Sequence, residues 1–154
     1  MTVIVIPVPP GFTITPAACI AFSLTGSYPV GLPDEVESHL QALEMTTGKG
    51  FGDRANALLV SVRSGSVFSM PGMMDTVLNL GLNDDTVAGL AEGTGNPRFA
   101  YDSYRRFIQM FGDVVMGVES QRFEDVLTAK KAEVGADHDT DLSADDLKDL
   151  TVRF

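Results

Sequence analysis

Cysteine, histidine and tryptophan are scarce in this chain of 154 residues, which has one, two and none of them. A single thiol cannot form an internal disulfide, so nothing indicates an oxidising compartment. Cys19, His39 and His138 are too few for a zinc site of the usual kind, and we interpret both histidines as solvated. Long apolar runs are missing, and no N-terminal stretch has the basic leader of a secretory signal. These absences predict a cytoplasmic protein with no membrane partner.

Positive charge is the next shortage. The formal net charge is -10, which argues against a nucleic-acid partner because nucleic-acid binding needs a positive field. Residues 119–149 are the most acidic segment, with ten Asp or Glu against four Lys or Arg. Residues 58–116 are closer to balance, so we expect an anionic ligand there. The arginines of that segment are Arg63, Arg98, Arg105 and Arg106.

Several familiar binding motifs are also absent. The chain has no Gly-x-x-x-x-Gly-Lys-Ser/Thr loop and no dinucleotide fingerprint after a strand. Asp137, Asp139 and Asp141 alternate as in some calcium loops, but the required Gly and terminal Glu are missing. The sequence therefore predicts no metal ligands in this chain.

The patterns that are present predict an α+β fold. β-Branched and apolar runs favour short strands at residues 3–6, 11–15 and 58–62, the last as a buried strand. Residues 64–83, rich in Gly and Met, do not fit one regular element. Helical periodicity and cap signals then predict a helical subdomain at 84–154, after an α+β subdomain at 1–83. The predicted helices begin near Pro16, Pro33, Asp84, Pro97, Gln121 and Ser143.

Residues 61–65, with the sequence SVRSG, suit an anion site. Arg63 comes at the end of a predicted strand, and its guanidinium offers a planar fork of donors that matches phosphate oxygens. Ser64 and Gly65 are small, so their backbone N–H groups can approach the same ligand. The alternative interpretation is a surface arginine after a strand, and five residues alone do not decide between the two.

Two further segments could contribute to such a site. Residues 70–76, MPGMMDT, contain Gly72 and Met74 and could close over a ligand, although a loop that fills the core is the alternative. On the helix predicted after Pro97, Asp102 lies three and four residues before Arg105 and Arg106. One arginine could satisfy Asp102 and leave the other for a ligand, but a solvated helix face explains the pattern as well.

Taken together, four segments resemble the ATP-binding part of the pyruvate, phosphate dikinase family. They are PVPPGFTIT at 7–15, LVSVRSG at 59–65, SMPGMMDTVLNLGLND at 69–84 and RFAYDSYRRF at 98–107. The resemblance spans essentially the whole chain. The Met-Pro-Gly-Met-Met-Asp-Thr run is its most specific part, since related phosphoenolpyruvate synthases share the Ser-Val-Arg-Ser core but not that run.

The resemblance implies part of an ATP-grasp nucleotide-binding fold and a reaction that uses ATP and Mg²⁺. ATP, phosphate and pyruvate give AMP, diphosphate and phosphoenolpyruvate through a phosphohistidine. Within that family, the arginine that matches Arg63 is an ATP phosphate ligand. The arginine that matches Arg106 and the loop around Gly72 lie by the terminal phosphates. Together with the local patterns, this gives a predicted ATP and phosphate site of Arg63, Ser64, Gly65, Gly72, Met74 and Arg106.

Other parts of the family pattern have no match in this sequence. We find no ATP-binding lysine segment before Pro7, no metal-binding acids, no phosphohistidine segment and no pyruvate site. We therefore expect no catalytic residue in this chain and no dikinase activity from the chain alone. The remainder of the enzyme, as a separate chain, is a candidate partner. The alternative function is a non-catalytic binding or interaction module that retains part of an ATP-binding scaffold.

Overall fold

A computed structural model of the chain describes residues 8–65 and 75–154. The chain divides into two compact units, Met1–Lys49 and Gly50–Phe154. In the first unit, α1 covers Pro16–Thr25 and α2 covers Leu32–Thr47. Each helix has a proline in its first turn and ends at a glycine in the left-handed conformation, Gly26 or Gly48. The two predicted helices of this region are confirmed.

The second unit contains a small antiparallel sheet of β1 (Val60–Arg63) and β2 (Thr76–Leu80). Val60 pairs with Leu80, Val62 with Val77 and Arg63 with Thr76, and the register shifts between Val60 and Val62. Val62 is 48% exposed, so β1 is not the buried strand that its apolar run predicts. The run 58–62 is apolar, but among the described residues β1 pairs with one strand only, and three of its four residues are exposed.

Four α-helices follow the sheet. They are α3 (Asp84–Thr94), α4 (Pro97–Val114), α5 (Ser120–Val134) and α6 (Ala144–Arg153), with a short 3₁₀ turn at Asp139–Asp141. Local signals set their beginnings. Asn83 and Thr86 form a reciprocal capping box at α3, and Ser143 and Asp146 form another at α6. The Asn96 side chain accepts from Phe99 N at the start of α4.

The core of the second unit has two clusters around α4. One cluster joins the buried leucines Leu127, Leu142, Leu147 and Leu150. The other joins Leu82, Val87 and Ala100. Tyr101 packs against both clusters, so a single turn of α4 contacts the two halves of the core.

A buried cation links α5 to α6 beside the leucine cluster. Lys130 is 6% exposed, and its Nζ lies 3.0 Å from Asp149 Oδ2 and 3.2 Å from Asp146 Oδ1. The same Asp149 oxygen lies 2.6 Å from Arg153 Nη2. Asp149 therefore bridges a buried cation and a partly exposed arginine.

Two strand predictions need correction. Residues 11–15 form no strand, because a strand requires a partner and no described residue pairs with them. Residues 76–80, placed within an irregular segment, form β2. The strand predicted at 3–6 lies outside the described residues. The proposed division at 83/84 stays a prediction, although β2, before it, packs against α4, after it.

Candidate functional site

Arg63 is the last residue of β1 and lies opposite Thr76 in the sheet. Beyond it, Ser64 N donates to Asp75 O at 2.9 Å, and Asp75 N donates to Ser64 Oγ at 3.0 Å. These two bonds hold Ser64 and Asp75 side by side. Arg63, Ser64 and Gly65 are all exposed at this point. The predicted site residues Gly72 and Met74 lie outside the described residues.

Helix α4 carries the second predicted arginine and packs against the sheet. Met110 Sδ of α4 accepts a hydrogen bond from Leu78 N of β2 at 3.2 Å. Arg106 lies one turn before Met110 on the same helix. Arg63 and Arg106 therefore belong to one compact unit, on elements that are joined through β2.

Asp102 binds both neighbouring arginines, one with each carboxylate oxygen. Oδ1 accepts from Arg105 Nη2 at 2.9 Å and from Arg105 Nε at 3.2 Å. Oδ2 lies 3.1 Å from Arg106 Nε. The Arg105 side chain is 3% exposed, that of Asp102 17% and that of Arg106 63%. The interpretation in which Asp102 pairs with a single arginine is therefore wrong. The alternative of a solvated helix face is wrong for Arg105, which is buried.

The burial of Arg105 depends on a residue far along the chain. Asp139 Oδ2 lies 3.7 Å from Arg105 Nη2, and Asp139 Oδ1 accepts from Lys131 Nζ at 3.0 Å. Arg98 donates to the backbone carbonyls of Leu142 and Asp139, both at 2.9 Å, and so ties α4 to the 3₁₀ turn. No sequence signal pairs Asp139 with Arg105, because 34 positions separate them.

These contacts set the charge state of Asp139. Burial favours its neutral form, but the hydrogen bond from Lys131 and the charges of Lys131, Arg105 and Arg106 outweigh burial and lower its pKa. The linked groups comprise the cations Arg105, Arg106 and Lys131 and the carboxylates Asp102 and Asp139. These five linked groups carry three positive and two negative charges.

The remaining predicted features lie elsewhere. His39 is exposed and stacks on Phe12 with 5.5 Å between ring centroids, and His138 is exposed beside the 3₁₀ turn. Within residues 8–65 and 75–154, no three His, Cys, Asp or Glu side chains converge on a metal-binding position. No helix in the described part of the chain has both the length and the apolar character needed to cross a membrane.

Comparison with known proteins places the chain in a family. No protein-family model matches it. It is 58% identical over 144 residues to the pyruvate, phosphate dikinase of Giardia intestinalis, covering 94% of this chain and 16% of that protein. Matches to the Clostridium symbiosum enzyme (54% identical) and the chloroplastic Flaveria trinervia enzyme (53%) cover 100% of the chain but 18% and 16% of those proteins. The chain therefore belongs to the pyruvate, phosphate dikinase family and spans a small segment of its curated relatives.

Proposed function

We propose that the chain supplies ATP- and phosphate-binding residues to a pyruvate, phosphate dikinase. Arg63 and Arg106 contact the phosphate oxygens, and Gly72 and Met74 are further binding residues in this proposal. Phosphoryl transfer depends mainly on positioning and on cations aimed at the phosphate oxygens, so two guanidinium groups on a strand and a helix of one unit suit this role. The reaction as a whole would convert ATP, phosphate and pyruvate to AMP, diphosphate and phosphoenolpyruvate.

The proposal rests mainly on Arg106, whose side chain is exposed and yet held by a contact with Asp102. Its side chain is 63% exposed, while its Nε is held 3.1 Å from Asp102 on a packed helix. A guanidinium has five N–H donors, so the donors on Nη1 and Nη2 can still bind an anion. Arg63 supports the proposal because it is exposed at the end of a strand whose register is fixed by Thr76.

The contacts give less support to Ser64 and Gly65 as phosphate ligands. The Ser64 N–H donates to Asp75 O, so binding a phosphate through it would require that bond to be exchanged for the ligand. Gly65 directly precedes residues 66–74 and remains a proposed backbone contact.

The proposal also extends to the fold and to the metal ion. The small sheet and its helices would form part of an ATP-grasp nucleotide-binding domain. The metal ligands for Mg²⁺ are expected outside this chain. The remainder of the enzyme is the proposed partner, and a cytoplasmic location remains a prediction.

Titration calorimetry with ATP tests the proposal on the parent chain, Arg63→Ala and Arg106→Ala. Each variant loses a charge-assisted hydrogen bond, which typically contributes about 1.5–3 kcal/mol, so affinity should fall roughly ten- to a hundredfold. Arg122→Ala is the matched control, because Arg122 is 76% exposed and pairs only loosely with Glu119 at 3.9 Å. Equal binding by the parent and both test variants would show that the site is elsewhere.

The same measurements address the alternative of a non-catalytic interaction module. A parent chain that binds neither ATP nor inorganic diphosphate would contradict the proposed role and favour that alternative. Thermal unfolding of each variant would show whether a loss of binding reflects a loss of fold.

A further inference from the structure

We propose that Asp102 and the buried Arg105 are positioning residues that hold the Arg106 guanidinium in the orientation needed to bind a phosphate group. The inference rests on the proposed function of Arg106 and extends it to two residues to which no role is assigned. It follows from the way in which a single carboxylate is divided between the two arginines.

The buried Arg105 and the Asp102 carboxylate that it binds form the rigid part of this arrangement. Arg105 donates twice to Asp102 Oδ1, at 2.9 and 3.2 Å, and hydrogen-bonds to Gln109 Oε1 at 3.4 Å. Its 3% exposure leaves little room for another rotamer, and Asp139 at 3.7 Å supplies a second negative charge. A guanidinium held on several sides fixes the carboxylate that it binds.

The contact between Asp102 and Arg106 extends this restraint to the surface. Asp102 Oδ2 lies 3.1 Å from Arg106 Nε, so the fixed carboxylate restrains an otherwise exposed side chain. A free arginine has many rotamers, and ordering one on binding costs about 0.5–1.5 kcal/mol. If Asp102 orders Arg106 beforehand, that cost is met in the unliganded protein and ligand affinity rises correspondingly.

Electrostatics alone predicts the opposite effect of Asp102 on binding. A carboxylate next to Arg106 repels an incoming phosphate, so removing its charge should strengthen anion binding. If Asp102 acts by orienting Arg106, removing the charge should instead weaken binding. The sign of the change separates the two explanations.

The chain contains a matched control for the substitution. Asp149 also bridges a buried cation, Lys130, and a partly exposed arginine, Arg153, and the Asp149–Arg153 pair has the same four-residue spacing as Asp102–Arg106. Asp149→Asn therefore makes the same chemical change at another carboxylate between two cations, away from the proposed site, although Asp149 contacts both cations through Oδ2.

The test measures binding of magnesium-free ATP and inorganic diphosphate to the 154-residue parent, Asp102→Asn, Asp149→Asn and Arg106→Ala. We expect Asp102→Asn to weaken binding about two- to tenfold and Asp149→Asn to leave it unchanged. Asp102→Asn added to Arg106→Ala should weaken binding no further, because Asp102 acts through Arg106. Unchanged or tighter binding by Asp102→Asn, with Arg106→Ala still weak, would overturn this inference alone. If Arg106→Ala binds like the parent, the proposed function itself fails.

A second measurement does not depend on the ligand. In the parent, the Arg106 Nε–H should be ordered by nuclear magnetic relaxation, and in Asp102→Asn it should become mobile. Arg105→Lys keeps the charge but not the two-donor contact, so it should loosen Arg106 as well and serves if Asp102→Asn does not fold. A mobile Arg106 Nε–H in the parent would contradict the proposal.

Discussion

Tyr104, which is partly buried, shows how one hydroxyl group joins two helices. Its OH donates to Asp84 Oδ1 at 3.1 Å and so links α4 to the first turn of α3. Burial, together with the hydrogen bond and the charge of Asp84, raises the pKa of Tyr104 from 10.0 to about 12. The folded protein therefore holds this proton more tightly than the unfolded chain does.

We predict that phenolate absorbance includes a component that titrates at about pH 12 and disappears in Tyr104→Phe. Because the folded-state pKa is raised, stability is fully present below pH 10.0 and falls as the pH rises towards 12. Tyr28→Phe is the control, since Tyr28 is 69% exposed and its loss should leave that component in place. If the component also survives in Tyr104→Phe, the assignment is wrong.

Asp102, one turn earlier on the helix than Arg106, was visible in the sequence as an ion-pair partner, because spacings of three and four place side chains together on a helix. The sequence did not indicate which of the two arginines, Arg105 or Arg106, would be buried. That outcome depends on the position of Asp139, and only the packing of the 3₁₀ turn against α4 brings Asp139 there.

At the scale of elements, α3 contains two glycines in contrasting surroundings. A Cβ added at Gly89 would collide with the backbone carbonyl of Arg54, whereas one added at Gly93 would meet nothing within 4 Å. The segment before β1 thus lies directly on α3 at Gly89, and an ion pair between Arg54 and Glu92, at 2.9 Å, follows one turn later.

We predict that Gly89→Ala destabilises the protein by about 1–3 kcal/mol, because a backbone atom cannot move away as a side chain can. Gly93→Ala, in the same helix, should stabilise it by about 0.5–1 kcal/mol through the higher helix propensity of alanine. Urea unfolding of both variants measures the difference. Equal effects of the two substitutions would mean that Arg54 does not lie on α3 in solution.

The helix ends illustrate how far local sequence decides an element. Thr15-Pro16, Asn96-Pro97 and the Ser143–Asp146 pair each predict the residue at which a helix begins, and the structure confirms all three. A cap involves neighbours in sequence, so it can be recognised before the tertiary structure is known. The sequence has no comparable signal for strand β2. A strand forms by pairing with another strand, and the local sequence does not specify which one.

At the scale of the whole molecule, much apolar surface is exposed. Among the described residues, Ile20, Leu24 and Val30 of the first unit are at least 60% exposed, and β1 and β2 form a sheet of two strands only. Apolar surface of this kind and open strand edges favour association. The chain spans 16–18% of the length of its curated relatives, so a longer protein would offer surfaces to cover it.

We predict that the isolated chain associates at high concentration and binds a hydrophobic dye. Light scattering over a concentration series measures the association, and Leu24→Asp and Val30→Asp should each reduce it because they replace exposed apolar side chains by charges. Ser38→Asp, at an exposed polar position, controls for added charge. A monodisperse monomer that does not bind the dye would contradict the prediction.

The sequence by itself indicated the family, the helices and the beginnings of three of them, and it predicts a segment in which a phosphate would bind. These properties depend on neighbouring residues or on runs long enough to be compared with relatives. Tertiary structure decided the pairing of β1 with β2, the burial of Arg105 and the division of Asp102 between two arginines. The strand pairing and the burial of Arg105 involve contacts between residues far apart in the chain, Arg63 with Thr76 and Arg105 with Asp139, which local sequence does not specify. The contacts of Asp102 are local, but which of its two arginines is buried depends on the packing around α4.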